Sequence, residues 1–294
     1  MTNDGTTNDG TTGSSEFAKP INRIPFRDES GNEIFVDSYA VYLDALGTKA
    51  RTGMMNDDQL RTHLEVLRHF KEFLHDVRWN DDSRQGFLQF SDNLILGSPI
   101  NQKYVHGDLI FVISSASSYQ FNLAVRGLLL RGAITRGQLY MDKEVVIGPA
   151  INEASEIEQF AVFPRIIVSQ DCLHVIDSDR EWSTTSFPIW KDVLLVDEDG
   201  EAFINYITTI EYDGVPVEVA SGLDFHRKMI VKGLSDHTNG TIREKYVWLS
   251  HLHNFVIDEF YAREQRAKIG TPDLTNLELS NPRHFSLFPS PISS

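Results

Sequence analysis

Apolar residues recur along this chain with two different periods, and the change from one to the other separates predicted strands from predicted helices. A first strand is predicted over about Ile34 to Leu43, ending at Asp44. It lies in the run Val41-Tyr42-Leu43-Asp44-Ala45-Leu46-Gly47, which is apolar except for that one acid. Beyond the Gly47 loop, Asn56 or Asp57 can cap a helix in which Leu60, Leu64, Leu67, Leu74 and Val77 repeat at helical spacing. Phe87 to Phe90 and Asn93 to Leu96 are two apolar arms around a Ser91-Asp92-Asn93 turn, the pattern of a β-hairpin with Asp92 at its tip.

A mostly apolar helix is predicted around Asp108 to Arg126, its serines marking a closely packed face. Leu128 to Tyr140 reads as a strand whose glycines mark bulges or close backbone approach, and a short strand follows at Val145 to Ile147. Gly148-Pro149 opens a helix with Ile151, Ala154, Ile157 and Ala161 as its buried stripe, and Pro164 ends it. Arg165 to Val168 is a strand, and Val193 to Val196 with Ala202 to Ile207 forms a hairpin around Asp199-Gly200. After Glu211 the pattern turns helical, with Ile242, Tyr246, Leu249, Val256 and Phe260 on one face of a long helix. From Gly270 onward the chain is expected to trail along the surface. This order predicts an α+β sandwich with one largely antiparallel sheet, flanking helices and a C-terminal helical extension.

The boundaries expected are a disordered tail over residues 1–16, a main domain over 17–210 and the helical extension over 211–294, packed on the same domain. The tail consists almost wholly of Thr, Asn, Asp, Gly and Ser and cannot bury enough apolar area to order itself.

Composition narrows the partners. A formal charge of −15 argues against nucleic acid, whose binding relies on clustered Lys and Arg. The single cysteine, Cys172, lies in an apolar run and reads as a buried structural thiol. No apolar window approaches the length of a membrane span and no signal-peptide pattern opens the chain, so a soluble, cytoplasmic protein is expected.

Asp44 in its apolar run costs several kcal/mol unless it is paired, solvated or bound to a cation. Together with Asp92 it offers the oxygen ligands that Mg²⁺ or Mn²⁺ ions take while bridging to substrate phosphates. The same segments also admit a plainer reading, in which Asp44 caps the next helix and Asp92 makes a turn.

The order of these pieces resembles the class III nucleotidyl cyclase catalytic domain. In that family a first-strand Asp and a hairpin Asp bind two metal ions, and a later Asn acts on the transition state. The matching positions here are Asp44, Asp92 and, within Gly148-Pro149-Ala150-Ile151-Asn152-Glu153-Ala154, Asn152. The residues that read a purine in this family are absent: Leu88 and Val145 stand in their places. Glu156 replaces the transition-state Arg, and no clear counterpart of the triphosphate-binding Lys is found near the final hairpin.

A narrower resemblance covers nearly the whole chain after the tail. Tyr42-Leu43-Asp44-Ala45-Leu46-Gly47, Phe90-Ser91-Asp92-Asn93, Arg131-Gly132-Ala133-Ile134, Gly148-Pro149-Ala150 with Glu158, Pro164-Arg165-Ile166 and Lys245-Tyr246-Val247-Trp248-Leu249 are similar to the pyrimidine cyclases of bacterial Pycsar antiphage defence.

That resemblance implies a homodimer with composite active sites, making cyclic UMP from UTP, or cyclic CMP from CTP, as the messenger for a separate effector protein. Two Mn²⁺ or Mg²⁺ ions per site would be held by Asp44 and Asp92, with the Ala45 carbonyl as a further ligand. Asn152 would act from the partner subunit. Arg131, Arg136 and Arg165 are candidates for the charge lost at Glu156, and Arg165 is equally suited to pairing with a carboxylate. Backbone amides of the Ala45, Leu46 and Gly47 loop would contact phosphate, and Tyr42 and Asn93 are candidates near the base. A catalytically inactive nucleotide-binding dimer module is the alternative from a different class.

Overall fold

The computed structural model describes residues 26–48, parts of 52–68, 86–178, 190–211, 219–270 and 273–288. The expected tail over 1–16 and the helix positions Leu67, Leu74 and Val77 lie outside the described residues. The start of that helix is described: Asn56 Oδ1 accepts from the Gln59 amide at 2.9 Å, and Gln59 Oε1 accepts from the Asn56 amide at 3.0 Å. This reciprocal pair satisfies two amides that the first helical turn leaves without carbonyl partners.

Numbered in chain order, the strands are β1 (Val36–Ala45), β2 (Gly86–Phe90), β3 (Asn93–Pro99), β4 (Leu130–Met141), β5 (Val146–Ile147), β6 (Ile166–Val168), β7 (Leu194–Val196), β8 (Ala202–Ile204) and β9 (Ser286–Leu287). They form one sheet in the order β2-β3-β1-β4-β6-β8-β7-β9, with β5 paired to the end of β4. All pairings are antiparallel except β4 with β6. A parallel pair needs a crossover, and α2 supplies it.

The helices are α1 (Val105–Ala124), α2 (Pro149–Phe160), α3 (Gln170–Ser178), α4 (Trp190–Val193), α5 (Val219–Asp236), α6 (Gly240–Phe260) and α7 (Asn276–Ser280). The result is an α+β protein with a large, mostly antiparallel sheet. No helix among the described residues is long and apolar enough to cross a membrane.

Each sheet face carries its own core. On one, Val41, Leu43, Leu94, Leu96 and Ile134 pack with apolar residues of α1, α3, α5 and α6. On the other, Ala40, Ile95, Ala133 and Leu139 pack with Ala150, Ile151 and Ala154 of α2 and with Phe26.

Strand β1 registers where this second cover ends. Ser38, Tyr39, Ala40 and Val41 are all buried, whereas from Tyr42 to Ala45 burial alternates, leaving Tyr42 and Asp44 partly open. Alternate side chains face opposite sides of a sheet, so Tyr42 and Asp44 emerge on the α2 side just beyond its apolar packing.

Close backbone approach, expected from the glycines of β4, occurs at Gly132. A Cβ there would lie 2.2 Å from the Tyr42 carbonyl oxygen and 2.5 Å from Leu43 Cδ2. Gly132→Ala is therefore expected to cost about 1–3 kcal/mol through overpacking, seen as a lower denaturation midpoint with an unchanged m-value. At the entry to α2, Gly148 holds φ +147° and a Cβ would come within 2.4 Å of the Gln138 carbonyl oxygen. Pro149 follows in the first helical turn, where its missing amide costs nothing.

The chain after Gly270 departs from expectation. Leu274, Phe285 and Phe288 are buried, and β9 pairs with β7, so this stretch is a strap across the sheet edge and α6. Ile242 is also displaced from the expected apolar face. It sits in the first turn of α6 at 42% exposure, whereas Leu249, Leu252, Val256 and Ile257 are fully buried.

The helical extension is tied to the sheet by a buried polar chain. Tyr206 Oη lies 2.7 Å from His226 Nε2, His226 Nδ1 lies 3.0 Å from His253 Nδ1, and His253 Nε2 lies 3.0 Å from the Ala267 carbonyl. A carbonyl only accepts, so His253 carries its proton on Nε2, His226 donates from Nδ1, and Tyr206 donates to His226 Nε2.

The chain is complete only with both rings neutral. Burial holds His226 well below the ordinary histidine range and lowers His253 to about 4. The unfolded rings bind protons near pH 6.5, whereas the folded ones do not. Stability from this pair is therefore present above that pH and is lost as pH falls towards the folded values. Reversible unfolding between pH 7 and 5 should show a falling midpoint; a midpoint independent of pH in that window would mean that the rings are not held neutral.

Candidate active site

The β-ladder places the sequence candidates in one row. Phe90 of β2 pairs with Asn93 of β3, Asn93 with Asp44 of β1, and Asp44 with Arg131 of β4. Directly opposed residues on antiparallel strands share a sheet face, so these four side chains stand on the side where α2 packs. Glu158, in the last turns of α2, closes the row, with Arg131 Nε 2.5 Å from its Oε1 and 3.3 Å from Asp44 Oδ2. The first contact is an ion pair only, since Glu158 Oε1 is buried and has no hydrogen-bond partner.

Asp92 lies beside this row in the two-residue turn that joins Phe90 to Asn93. Ser91, its neighbour, is held at φ +56°, a conformation that glycine adopts more readily. The Ala45 amide donates to the Asp92 carbonyl at 3.3 Å and fixes the turn against the end of β1.

Electrostatics shows that the acids sense one another. The Asp44 carboxyl is pushed up, first by burial and then by Asp92, while Arg131 and Lys245 pull it down. Glu158 is raised by burial and by Asp44, against the pull of Arg131. The Tyr42 hydroxyl is raised by burial and by Glu158, Asp44 and Asp92 together. Two carboxylates forced into proximity in a half-buried place are a site that a cation would relieve.

The donors suit Mn²⁺ or Mg²⁺. Asp44 and Asp92 present hard oxygens, and the Ala45 carbonyl keeps a second lone pair beyond the one taken by Thr48 Oγ1 at 2.9 Å. Asn93 Oδ1, in the same row, is buried without any hydrogen-bond donor. Among the described residues no group of three or more His, Cys, Asp or Glu side chains is arranged to hold a metal ion. Ions here would therefore complete their shells with water and a ligand's oxygens, as Mg²⁺ does at phosphate sites.

Other expectations fare differently. Asn152 is exposed on α2, and the single chain does not bring it to the row. The loop amides of Ala45 and Leu46 are not free for phosphate. The first is taken by Asp92 as above, and the second donates to the Leu129 carbonyl at 2.8 Å. Gly47 remains exposed at φ +79°.

Of the two roles open to Arg165, the structure shows the pairing with carboxylates. Its side chain is 2% exposed and bonds Asp197 Oδ2 at 2.6 Å and Asp199 through both terminal nitrogens. Those bonds commit its guanidinium to carboxylates of the β7–β8 turn. Arg136 is likewise occupied, by Asp37 at 2.8 Å.

The residue that sequence reasoning left without a role is Lys245. It is half-buried on α6, and its ammonium is pulled below the ordinary lysine range by burial and then by Arg131, with Asp44 opposing. A lysine one turn before Trp248 and Leu249, on an otherwise apolar stripe, was the available signal.

A cavity of about 600 Å³ lies elsewhere, between the start of α6 and the C-terminal strap, and none of the row lines it. Its arginines are spent internally: Arg243 makes a bidentate pair with Glu278 at 2.8 Å, and Arg283 bonds Asp197 at 2.7 Å. The thiol of Cys172 is fully buried and pushed up to about 12, which removes it as a nucleophile.

No protein-family model matches the chain, and no curated protein sequence matches it.

Proposed function

We propose that the protein is a pyrimidine nucleotide cyclase of class III type that converts UTP into 3′,5′-cyclic UMP and pyrophosphate, working as a homodimer with composite sites. The observation that carries this reading is the placement of Asp44 and Asp92, electrostatically coupled, beside one sheet row that also holds Asn93, Arg131 and Phe90. The likeness of the quoted motifs to Pycsar pyrimidine cyclases supplies the reaction and the antiphage messenger role.

In the reaction the ribose 3′-hydroxyl loses its proton, a bond forms from O3′ to the α-phosphorus, and the bond to the β-phosphate oxygen breaks. Mn²⁺ or Mg²⁺ held by Asp44, Asp92 and the Ala45 carbonyl would lower the hydroxyl's pKa and neutralise the phosphates. Arg131, steadied by Glu158, keeps positive charge beside the acids. Phe90 is 73% exposed, and its ring can stack on a base whose edge meets the Asn93 amide. An amide reads uracil or cytosine by flipping, so cyclic CMP from CTP is the runner-up product. Asn152, open on α2, is free to reach a partner's substrate.

The test is mass spectrometry of products after incubation with each of the four ribonucleoside triphosphates and Mn²⁺. Cyclic UMP as the main product supports the reading, and cyclic CMP changes the base alone. A second reading, an inactive nucleotide-binding module, is favoured by Glu156 and by the occupied Ala45 and Leu46 amides. It would be adopted if the folded protein bound triphosphate without forming any cyclic product.

A further inference from the structure

Arg131 stands between two acids, and its one Nε hydrogen is given to the farther of them. Glu158 Oε1 lies 2.5 Å from Nε and Asp44 Oδ2 lies 3.3 Å away, yet the hydrogen bond runs to Asp44. Glu158 Oε1, on a side chain only 6% exposed, is left with a positive charge nearby and no donor. A buried acceptor without a donor is costly, and a carboxylate more so. Arg136 and Arg165, by contrast, are settled: the first bonds Asp37 at 2.8 Å and the second bonds Asp197 at 2.6 Å. Arg131 still has a better bond to make.

The two acids are held by different frames. Asp44 is fixed in β1, registered directly against Arg131 of β4, and Glu158 is carried by α2, which packs across that sheet face. Neither has to move for the guanidinium to change partner. A rotation of the arginine side chain, itself 27% exposed, suffices, and side-chain rotations are far faster than shifts of whole strands or helices. A divalent cation at Asp44 supplies the reason to turn, because it takes the lone pairs that receive the Nε hydrogen and repels the guanidinium at the same time.

We propose that Arg131 is a transferable counterion: it covers Asp44 until a cation binds there and then turns its Nε hydrogen to Glu158, which makes Glu158 the positioning residue that clears the metal site. The proposal rests on the metal-binding part of the nucleotide reading above and deepens it. Charge stays matched in both arrangements. The acid that gives up the guanidinium gains the ion, and the orphaned Glu158 oxygen gains its donor.

The test is binding of Mn²⁺ alone, read from the electron paramagnetic resonance signal of the free ion. Glu158→Gln removes the charge that draws Arg131 away and should weaken the Kd by about tenfold, the scale of one charge-assisted bond. In an Arg131→Leu background the same change should shift the Kd by less than about twofold, because no guanidinium remains to be moved. A negative charge acting merely through space would weaken binding equally in both backgrounds. In the unaltered protein, crystal structures without and with Mn²⁺ should show the Nε hydrogen bond on Asp44 and on Glu158 respectively, so the outcome does not hang on a variant's folding.

An equal loss in both backgrounds, an unchanged Kd for Glu158→Gln, Mn²⁺ that fails to bind at Asp44, or an Arg131 bond that stays on Asp44 with the ion bound would overturn the assignment. A guanidinium that changes partner in a protein forming no cyclic product from any triphosphate would keep the transfer and discard the cyclase.

Discussion

Asp197→Ala is expected to destabilise the protein by about 3–5 kcal/mol, the scale for removing one partner of a buried ion pair. The Asp197 side chain is fully buried and accepts from Arg165 Nη1 at 2.6 Å, Arg283 Nε at 2.7 Å, Trp248 Nε1 at 3.1 Å and the Glu198 amide at 2.8 Å. Those donors come from the start of β6, the C-terminal strap and α6, so one carboxylate joins the sheet to both later elements.

Alanine would leave Arg165, itself 2% exposed, with Asp199 alone, and Arg283 with Glu198 at 3.4 Å and the face of Phe163 at 4.7 Å. The remaining partners are more exposed and weaker, which places the loss towards the lower end of that range. Urea unfolding monitored by tryptophan fluorescence measures it directly. A loss below about 1 kcal/mol would mean that Asp199 and Glu198 carry both arginines unaided. Adding Arg165→Leu to the alanine variant should recover part of the loss, because the stranded charge goes with it.

The elements that local chemistry specifies were readable before any coordinates. The hairpin around Asp92, the Asn56 cap and the Gly148-Pro149 helix start all depend on residues within one turn of each other, and each occurs where the sequence placed it. Asp44 was legible as an acid at the end of a strand because an apolar run makes a lone charge conspicuous.

What sequence hid was set by long-range pairing. The strap beyond Gly270 is rich in Pro, Asn and Ser, and its burial depends on β9 meeting β7 roughly ninety residues earlier in the chain. Arg165 stayed open between a catalytic charge and a carboxylate partner because its acceptors lie 32 and 34 residues away, across the β7–β8 turn. Lys245 was visible as a letter and not as a position, since only the docking of α6 brings its charge within electrostatic reach of Asp44. The Arg131–Glu158 pair lies between these cases: both residues stood out, and register alone decided that they meet.

Asp44→Asn should separate activity from stability, with the two moving in opposite directions. Activity should fall by at least about 10³-fold, because the amide removes a negative charge and a hard-oxygen ligand from the place where cations and phosphate meet. Stability should hold or rise. Burial and the neighbouring Asp92 push the Asp44 carboxyl up, so folding carries a cost for its charged form. A neutral side chain of the same shape relieves that cost, and Arg131 keeps Glu158, 2.5 Å away and only 6% exposed, as its counterion.

The sign with pH follows from the same shift. A carboxyl raised in the folded state binds protons more readily there, so Asp44 penalises folding above the folded pKa, and the penalty fades as pH drops. The gain from Asp44→Asn should accordingly be largest near neutral pH and shrink towards pH 4. Saturating Mn²⁺ should stabilise the wild type and leave Asp44→Asn unmoved, by ordinary linkage of binding to folding. A variant that loses activity and stability together would instead assign Asp44 to the fold, as the anchor of Arg131.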